Sequence, residues 1–280
     1  MWMEIVWDAF IDGVKVLPFL LAAFLILELV EHYSGDYVNR RLAKVGRAGP
    51  FVGALAGCFP QCGFSVVAAN FFAGGIISAG TMIAVFLATS DEAILILLSN
   101  PGRGTDILWL LLVKVVIAML AGSVLDFLAH RKTLSGDKPK HWHEQQGAHH
   151  HNGIIRAALW HTLQIFIYLF LFTVLLNFLI EVLGIEKISA FLLGNSVFQP
   201  ALAALIGLIP NCAASVILAE LYLNGAISFA AVVAGLCSGA GVGLVVLFKM
   251  NKNLKENFKI VGLLYGISVL AGIVLELLLR

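Results

Sequence analysis

L-A-G-C-F-P-Q-C-G-F-S-V, residues Leu55 to Val66, sets a proline, a glutamine and two cysteines inside an otherwise apolar run. Leu205 to Val216 reads L-I-G-L-I-P-N-C-A-A-S-V, so Gly57, Pro60, Cys62 and Ser65 return as Gly207, Pro210, Cys212 and Ser215 without a gap. Extending the same offset of 150 over 50–98 and 200–248 gives 14 identities in 49 positions, more than shared hydrophobicity alone supplies, and it also pairs Glu31 with Glu181 and Asp126 with Glu276. Self-similarity at a fixed spacing is the mark of a repeated structural unit. Two homologous repeats are expected at 1–130 and 154–280, joined by a linker at 131–153.

The medium around these repeats follows from composition. Of 280 residues, 60% are hydrophobic and 12% charged, with a mean hydropathy of +0.95. Soluble domains carry about a quarter charged residues, so this chain belongs in a bilayer. A net charge of +1 gives no electrostatic footprint for nucleic acid. The four cysteines, Cys58, Cys62, Cys212 and Cys237, all lie in hydrophobic segments, which excludes a secreted disulfide framework and a zinc ribbon. Glu4, Asp8 and Asp12 precede the first apolar run without a basic region, so no cleavable signal peptide is expected.

A membrane-spanning helix needs about 20 apolar residues, and 10–33, 76–99, 105–130, 154–183, 226–248 and 258–280 each supply them. The motif segments 50–73 and 200–223 have the same length but are interrupted mid-way. If each crossed once, the basic loops would fall on both faces. If each is instead a re-entrant hairpin, Arg40, Arg41, Lys44 and Arg47 share one face with Arg131, Lys132, Lys138, Lys140, Lys249, Lys252, Lys255 and Lys259. The other face then keeps only Lys15, Arg103, Lys187 and Arg280. The positive-inside rule favours this arrangement, with the crowded face cytoplasmic and both termini outside. Three spans per repeat is an odd number, which makes the repeats inverted. The expected fold is thus an all-α membrane protein of two inverted repeats, each with three spanning helices and one re-entrant broken hairpin, the usual build of secondary transporters.

The hairpin tips, Pro60-Gln61-Cys62 and Pro210-Asn211-Cys212, should meet near the membrane centre and expose helix-end carbonyls or N–H groups to a substrate. Pro60 and Pro210 are expected to start the second half-helix of each hairpin. Ser90, Asp91 and Glu92 sit within the 76–99 span, where a carboxylate marks a functional site. Together with Gln61, Cys62, Asn211, Cys212 and Glu220 they form the candidate metal site. Asp91, Glu92 and Lys114 are the candidate proton-coupling groups. Simple charge pairing of Lys114 with the two carboxylates is the alternative, and for Cys62 and Cys212 it is packing as small hydrophobes. In the linker, His141, His143, His149, His150 and His151 form either a metal-collecting tract or a solvated connection.

G-C-F-P-Q-C-G-F-S with its partner I-P-N-C-A-A-S, followed by A-T-S-D-E-A, resembles the bacterial ten-transmembrane heavy-metal exporter family, whose members carry labels of manganese transporter or arsenic efflux protein. The motif is more distantly similar to the P-x-C-S-C-G signature of organoarsenical permeases, from which it departs by having one cysteine after the proline. The resemblance implies export across the cytoplasmic membrane. Oxygen donors outnumber thiols here, which suits Mn²⁺ over arsenite. The expectation is a secondary-active exporter of divalent metal ions, Mn²⁺ foremost, proton-coupled and working by alternating access. It is not expected to be an enzyme and has no resident cofactor. Its partners are the lipid bilayer and the metal ion; no nucleic acid is expected, and a homodimer is compatible with the chain. Two alternatives stand behind it: an arsenite or organoarsenical permease using Cys62 and Cys212, and an intramembrane lipid-phosphate enzyme, which would need arginine near the tips.

Overall fold

The structure is a computed structural model that describes residues 48–59, 63–89, 93–98, 104–131 and 198–279, with single positions between 7 and 25 and between 159 and 178. These residues form two successive sets of five helices. The first set is α1 (Gly49–Gly57), α2 (Gly63–Ala73), α3 (Ala79–Ala88), α4 (Ala93–Leu98) and α5 (Gly104–Arg131). The second is α6 (Gln199–Gly207), α7 (Cys212–Leu223), α8 (Phe229–Ser238), α9 (Val242–Met250) and α10 (Leu254–Leu279). α1 and α6, and likewise α3 and α8, have identical bounds once the offset of 150 is applied. No strand occurs among the described residues.

Local chemistry explains why the two sets begin and end alike. Pro50 and Pro200 occupy the first turns of α1 and α6, where a missing N–H costs nothing. α2 and α7 stop at the glycines of 74–75 and 225, where Gly75 and Gly225 have φ of 69° and 70°. The Ile76 N–H reaches back to the Phe71 carbonyl and the Ala226 N–H to Leu221, the six-residue closure of a glycine C-cap. Ser78 and Ser228 then cap α3 and α8, accepting from the Thr81 and Ala231 N–H groups at 3.1 Å. Each serine hydroxyl donates in turn to a carboxylate on the last helix of its set, Asp126 at 2.6 Å and Glu276 at 2.7 Å. The pairing of Asp126 with Glu276 is therefore a repeated structural tie.

Packing fixes the course of the chain. Cβ atoms built on Gly49, Gly53 and Gly57 would meet Thr81, Thr81 and Val85, and Val85 and Ala88 in that order, so α1 and α3 run parallel. α2, which joins the end of α1 to the start of α3, must run back between them. α3 and α5 run antiparallel, with Gly80 against Gly122 and Asp126. The second set repeats this: Gln199 bonds to Ala226 and Ser228 at one end, and Ser238 bonds to Ala204 near the other.

α5 and α10 are the peripheral helices. Ile107, Leu110, Lys114, Ala118 and Gly122 form the buried stripe of α5, and Asn257, Ile260, Leu264, Ser268 and Gly272 take the corresponding positions on α10. Leu108, Trp109, Leu112, Val116, Leu120, Val124 and Phe127 lie exposed on the opposite side of α5. An apolar face this long is untenable in water and fits lipid. At about 1.5 Å per residue, either helix exceeds the roughly 30 Å hydrocarbon core. Thr105–Leu128, Phe229–Met250 and Leu254–Leu279 are long and apolar enough to cross a membrane.

One expectation needs correction. The stretches 76–99 and 226–248, which hydropathy reads as continuous spans, are each divided into two helices, α3 with α4 and α8 with α9. A second concerns Pro210: it lies in a bend, and α7 begins two residues later at Cys212.

Candidate functional site

The ends of α1 and α6 come together with those of α3 and α8 at one level. α1 ends at Gly57, close enough to α3 that a Cβ there would lie 2.6 Å from the Val85 carbonyl and 2.9 Å from the Ala88 Cβ. α6 ends at Gly207, where a Cβ would collide with the Gly235 carbonyl and the Ser238 hydroxyl. Glycine at both positions lets the ends of α1 and α6 come close to the end of the helix beside each.

At that level both spans break. Thr89 caps α3 with φ −53° and ψ 125°, which turns its carbonyl out of the helix. Its hydroxyl bonds back to the Val85 carbonyl at 2.7 Å. In the second set Gly239 leaves α8 with φ −75° and ψ 76°, and Gly241 enters α9 with φ 53° and ψ −139°, a conformation that a side chain would strain. The Ala240 N–H turns to the Ser238 carbonyl at 2.9 Å and not to the Leu236 carbonyl four residues back. The Ser238 hydroxyl lies 2.7 Å from Ala204 O and 2.9 Å from Gly235 O, tying the end of α8 to α6.

Lys114, on the buried stripe of α5 and 0% exposed, reaches into this region. Its Nζ donates to the Thr89 carbonyl at 2.5 Å and to the Leu236 carbonyl at 2.9 Å. One ammonium thus satisfies helix-end carbonyls from both sets. The carbonyl end of a helix carries partial negative charge, which a cation complements.

Across the same region the sets interlock. α9 packs along α2, with Gly243 so close to Ser65 that a Cβ would sit 2.7 Å from the serine Cβ, and α4 packs along α7. Ser65, Asn211 and Ser215 are buried near the two tips. The Asn211 carbonyl accepts from the Ala214 N–H at 3.2 Å, the first bond of α7, and Cys212 is that helix's first residue.

The structure therefore brings Lys114 to the level of the breaks, and places Asn211 between the end of α6 and the start of α7 at Cys212. It does not bring Glu220 there. Glu220 is exposed, two turns along α7 from the tip, whereas its counterpart Asn70 is fully buried and donates to the Val66 carbonyl at 3.1 Å. Gln61, Cys62, Ser90, Asp91, Glu92 and the five linker histidines lie outside the described residues. Among the described residues no three His, Cys, Asp or Glu side chains gather as a metal site. Two elements of the site had no sequence nomination: the Gly239–Gly241 break and the carbonyls of Thr89 and Leu236. The glycines at 239 and 241, inside an apolar run, are the signal available for the first.

Helix ends from both sets and a buried ammonium thus lie together inside an apolar bundle. The sequence also matches, over residues 1–187 and again over 160–279, the family described as "Putative, 10TM heavy-metal exporter". The chain belongs to this family. The two matched regions overlap and together run almost from end to end, so the exporter family accounts for both sets of helices. No curated protein and no solved structure matches the chain.

Proposed function

We propose that the protein exports divalent transition-metal ions, Mn²⁺ foremost, across the bacterial cytoplasmic membrane by alternating access of two inverted repeats, 1–130 and 154–280. The observation that carries this reading is the meeting of the ends of α1 and α6, both span breaks and Lys114 at one level. Discontinuous helices with their ends at mid-membrane are the setting in which secondary transporters hold ions.

The inversion is supported by the interlock. Gly243 and Ser65 lie near the first residues of α9 and α2, and helices that pack along one another from their first residues run the same way. α2 leads from a tip to the face where α1 and α3 begin. α9 leads from the second break away from the face where α6 and α8 begin. Those two starting faces are then opposite sides of the membrane. The charges agree: α5 ends by the start of α3 and leads into the basic linker, while α9 leads to Lys249, Lys252, Lys255 and Lys259, so one cytoplasmic face receives both. With α1 and α6 at about 13 Å each, both hairpins are re-entrant, reaching half-way into the hydrocarbon.

Within this frame Asp91, Glu92, Ser90, Gln61 and Asn211 supply oxygen ligands and Cys62 and Cys212 thiol ligands. Asp91 or Glu92 exchanges the coupling proton. The linker histidines collect metal on the cytoplasmic side, and both termini lie outside. The end of α3 at Thr89 supports the assignment of Asp91 and Glu92, which follow it directly in the sequence.

Flux in proteoliposomes of Mn²⁺, Zn²⁺, Co²⁺ and arsenite, compared between wild type and Asp91→Asn, tests the reading. Wild-type Mn²⁺ flux above that of empty vesicles, lost in Asp91→Asn, is expected. Arsenite flux that depends on Cys62 and Cys212 but not on Asp91 would establish the permease alternative.

A further inference from the structure

We propose that the Lys114 ammonium is a tethered cation: it occupies a carbonyl site shared by the C-terminal ends of α3 and α8, and thereby joins the two repeats at the level of their breaks.

The site is defined by its acceptors. Thr89 is the C-cap of α3, with its carbonyl turned off the helix axis, and Leu236 lies in the last turn of α8, where the Ala240 N–H has gone to Ser238. Both oxygens therefore need a donor from elsewhere, because a buried carbonyl left without one is destabilising. Each also sits at the negative end of its helix. Lys114 Nζ reaches both, at 2.5 and 2.9 Å.

The arrangement is unlike packing of a stray lysine, because it is built in one repeat only. The position equivalent to Lys114 is Leu264, fully buried on α10. The carbonyl equivalent to Leu236 is that of Phe86, and there the Thr89 N–H lies 3.3 Å away within the same turn. In the second copy the Phe86 oxygen is approached by its own backbone. The first is closed by a cation carried on a third helix. Main-chain oxygens at the ends of two broken helices are a typical coordination set for a monovalent ion. A side-chain ammonium in that place makes the site permanently loaded, with no need of an external ion.

This deepens the transport reading and rests on it for the functional consequence: parting the repeats at mid-membrane breaks the bond from the ammonium to the Leu236 carbonyl. Occupancy of the site by the lysine stands independently of transport, and the test separates the two. Purified wild type, Lys114→Ala and Lys114→Met are unfolded thermally in detergent in chloride salts of sodium, potassium, propylammonium or N-methylglucamine at equal ionic strength. In N-methylglucamine the midpoint of Lys114→Ala is expected to fall by about 4–8 °C. Sodium or propylammonium, small enough to enter the vacated site, restores most of that loss. Wild type and Lys114→Met, whose side chain fills the cavity, show no such salt dependence.

The fraction recovered as monodisperse protein after solubilisation in each salt gives the same reading for a variant too unstable to melt. A Lys114→Ala response that is equal in all four salts, or recovery that fails equally in all four, overturns the proposal. A wild type that moves no metal while the salt response persists would remove the transport reading and leave the tethered cation in place.

Discussion

Lys114 Nζ lies 2.9 Å from the carbonyl oxygen of Leu236, 122 positions away and in the other repeat. The repeats are alike in their caps, turns and buried stripes, but not here, since Leu264 holds the place of Lys114. Exchanging the pair, Lys114→Leu with Leu264→Lys, should not restore the fold. The new lysine faces a Phe86 carbonyl that the Thr89 N–H already approaches, and the original carbonyls lose their donor. We expect a loss of about 3 kcal/mol or more, as for other buried charges deprived of partners, read from unfolding in detergent. A double variant as stable as wild type would show that the two repeats are interchangeable at this depth.

Glycine substitutions should divide by position. Gly207→Ala drives a methyl group into the Gly235 carbonyl and should cost about 1–3 kcal/mol through overpacking, with Gly57→Ala somewhat milder because its nearest contact is longer. Gly262 and Gly266 on α10 have nothing within 4 Å of a built Cβ. Alanine at either should be neutral, or stabilising by up to about 1 kcal/mol, from helix propensity. Melting midpoints of the four single variants check the order.

The carboxylate ties should behave as coupled pairs. Ser78→Ala and Ser228→Ala each remove an N-cap and should cost about 1 kcal/mol. Asp126→Asn also weakens the bond from the Gly80 N–H at 3.0 Å, so it should cost more than the serine change alone. In a double-mutant cycle of Ser78 with Asp126, the coupling should be about 0.5–3 kcal/mol. Additive losses would mean that the 2.6 Å contact contributes nothing.

Inversion makes a topological prediction. The turns at 74–75 and 224–225 are equivalent in the repeat, so inverted repeats place them on opposite membrane faces. In a background without native cysteine, Gly74→Cys should be labelled by an impermeant maleimide only from the cytoplasm, and Asn224→Cys only from outside. Labelling of both from one side would make the repeats parallel.

Much of the frame is legible in the chain. The repeat is read by aligning Gly57, Pro60 and Cys62 with Gly207, Pro210 and Cys212, and the helix bounds follow it residue for residue across α1 and α6. Gly75 and Gly225 mark turns because only glycine takes φ near 70° without strain. Ser78 and Ser228 mark helix starts because a short hydroxyl satisfies the first N–H groups. These are local requirements, and local requirements leave residue types behind. The breaks at Thr89 and Gly239 were less legible. Hydropathy measures the solvent a segment prefers, and both halves of each span prefer the same one.

The sequence by itself determined the bilayer as solvent and the duplication, because each depends on composition or on backbone geometry that particular residues enforce. Only the tertiary structure decided what Lys114 does. Two of its partners are main-chain carbonyls, which every residue possesses and no residue type announces, and one of them is brought within reach by the packing of a distant helix from the opposite repeat.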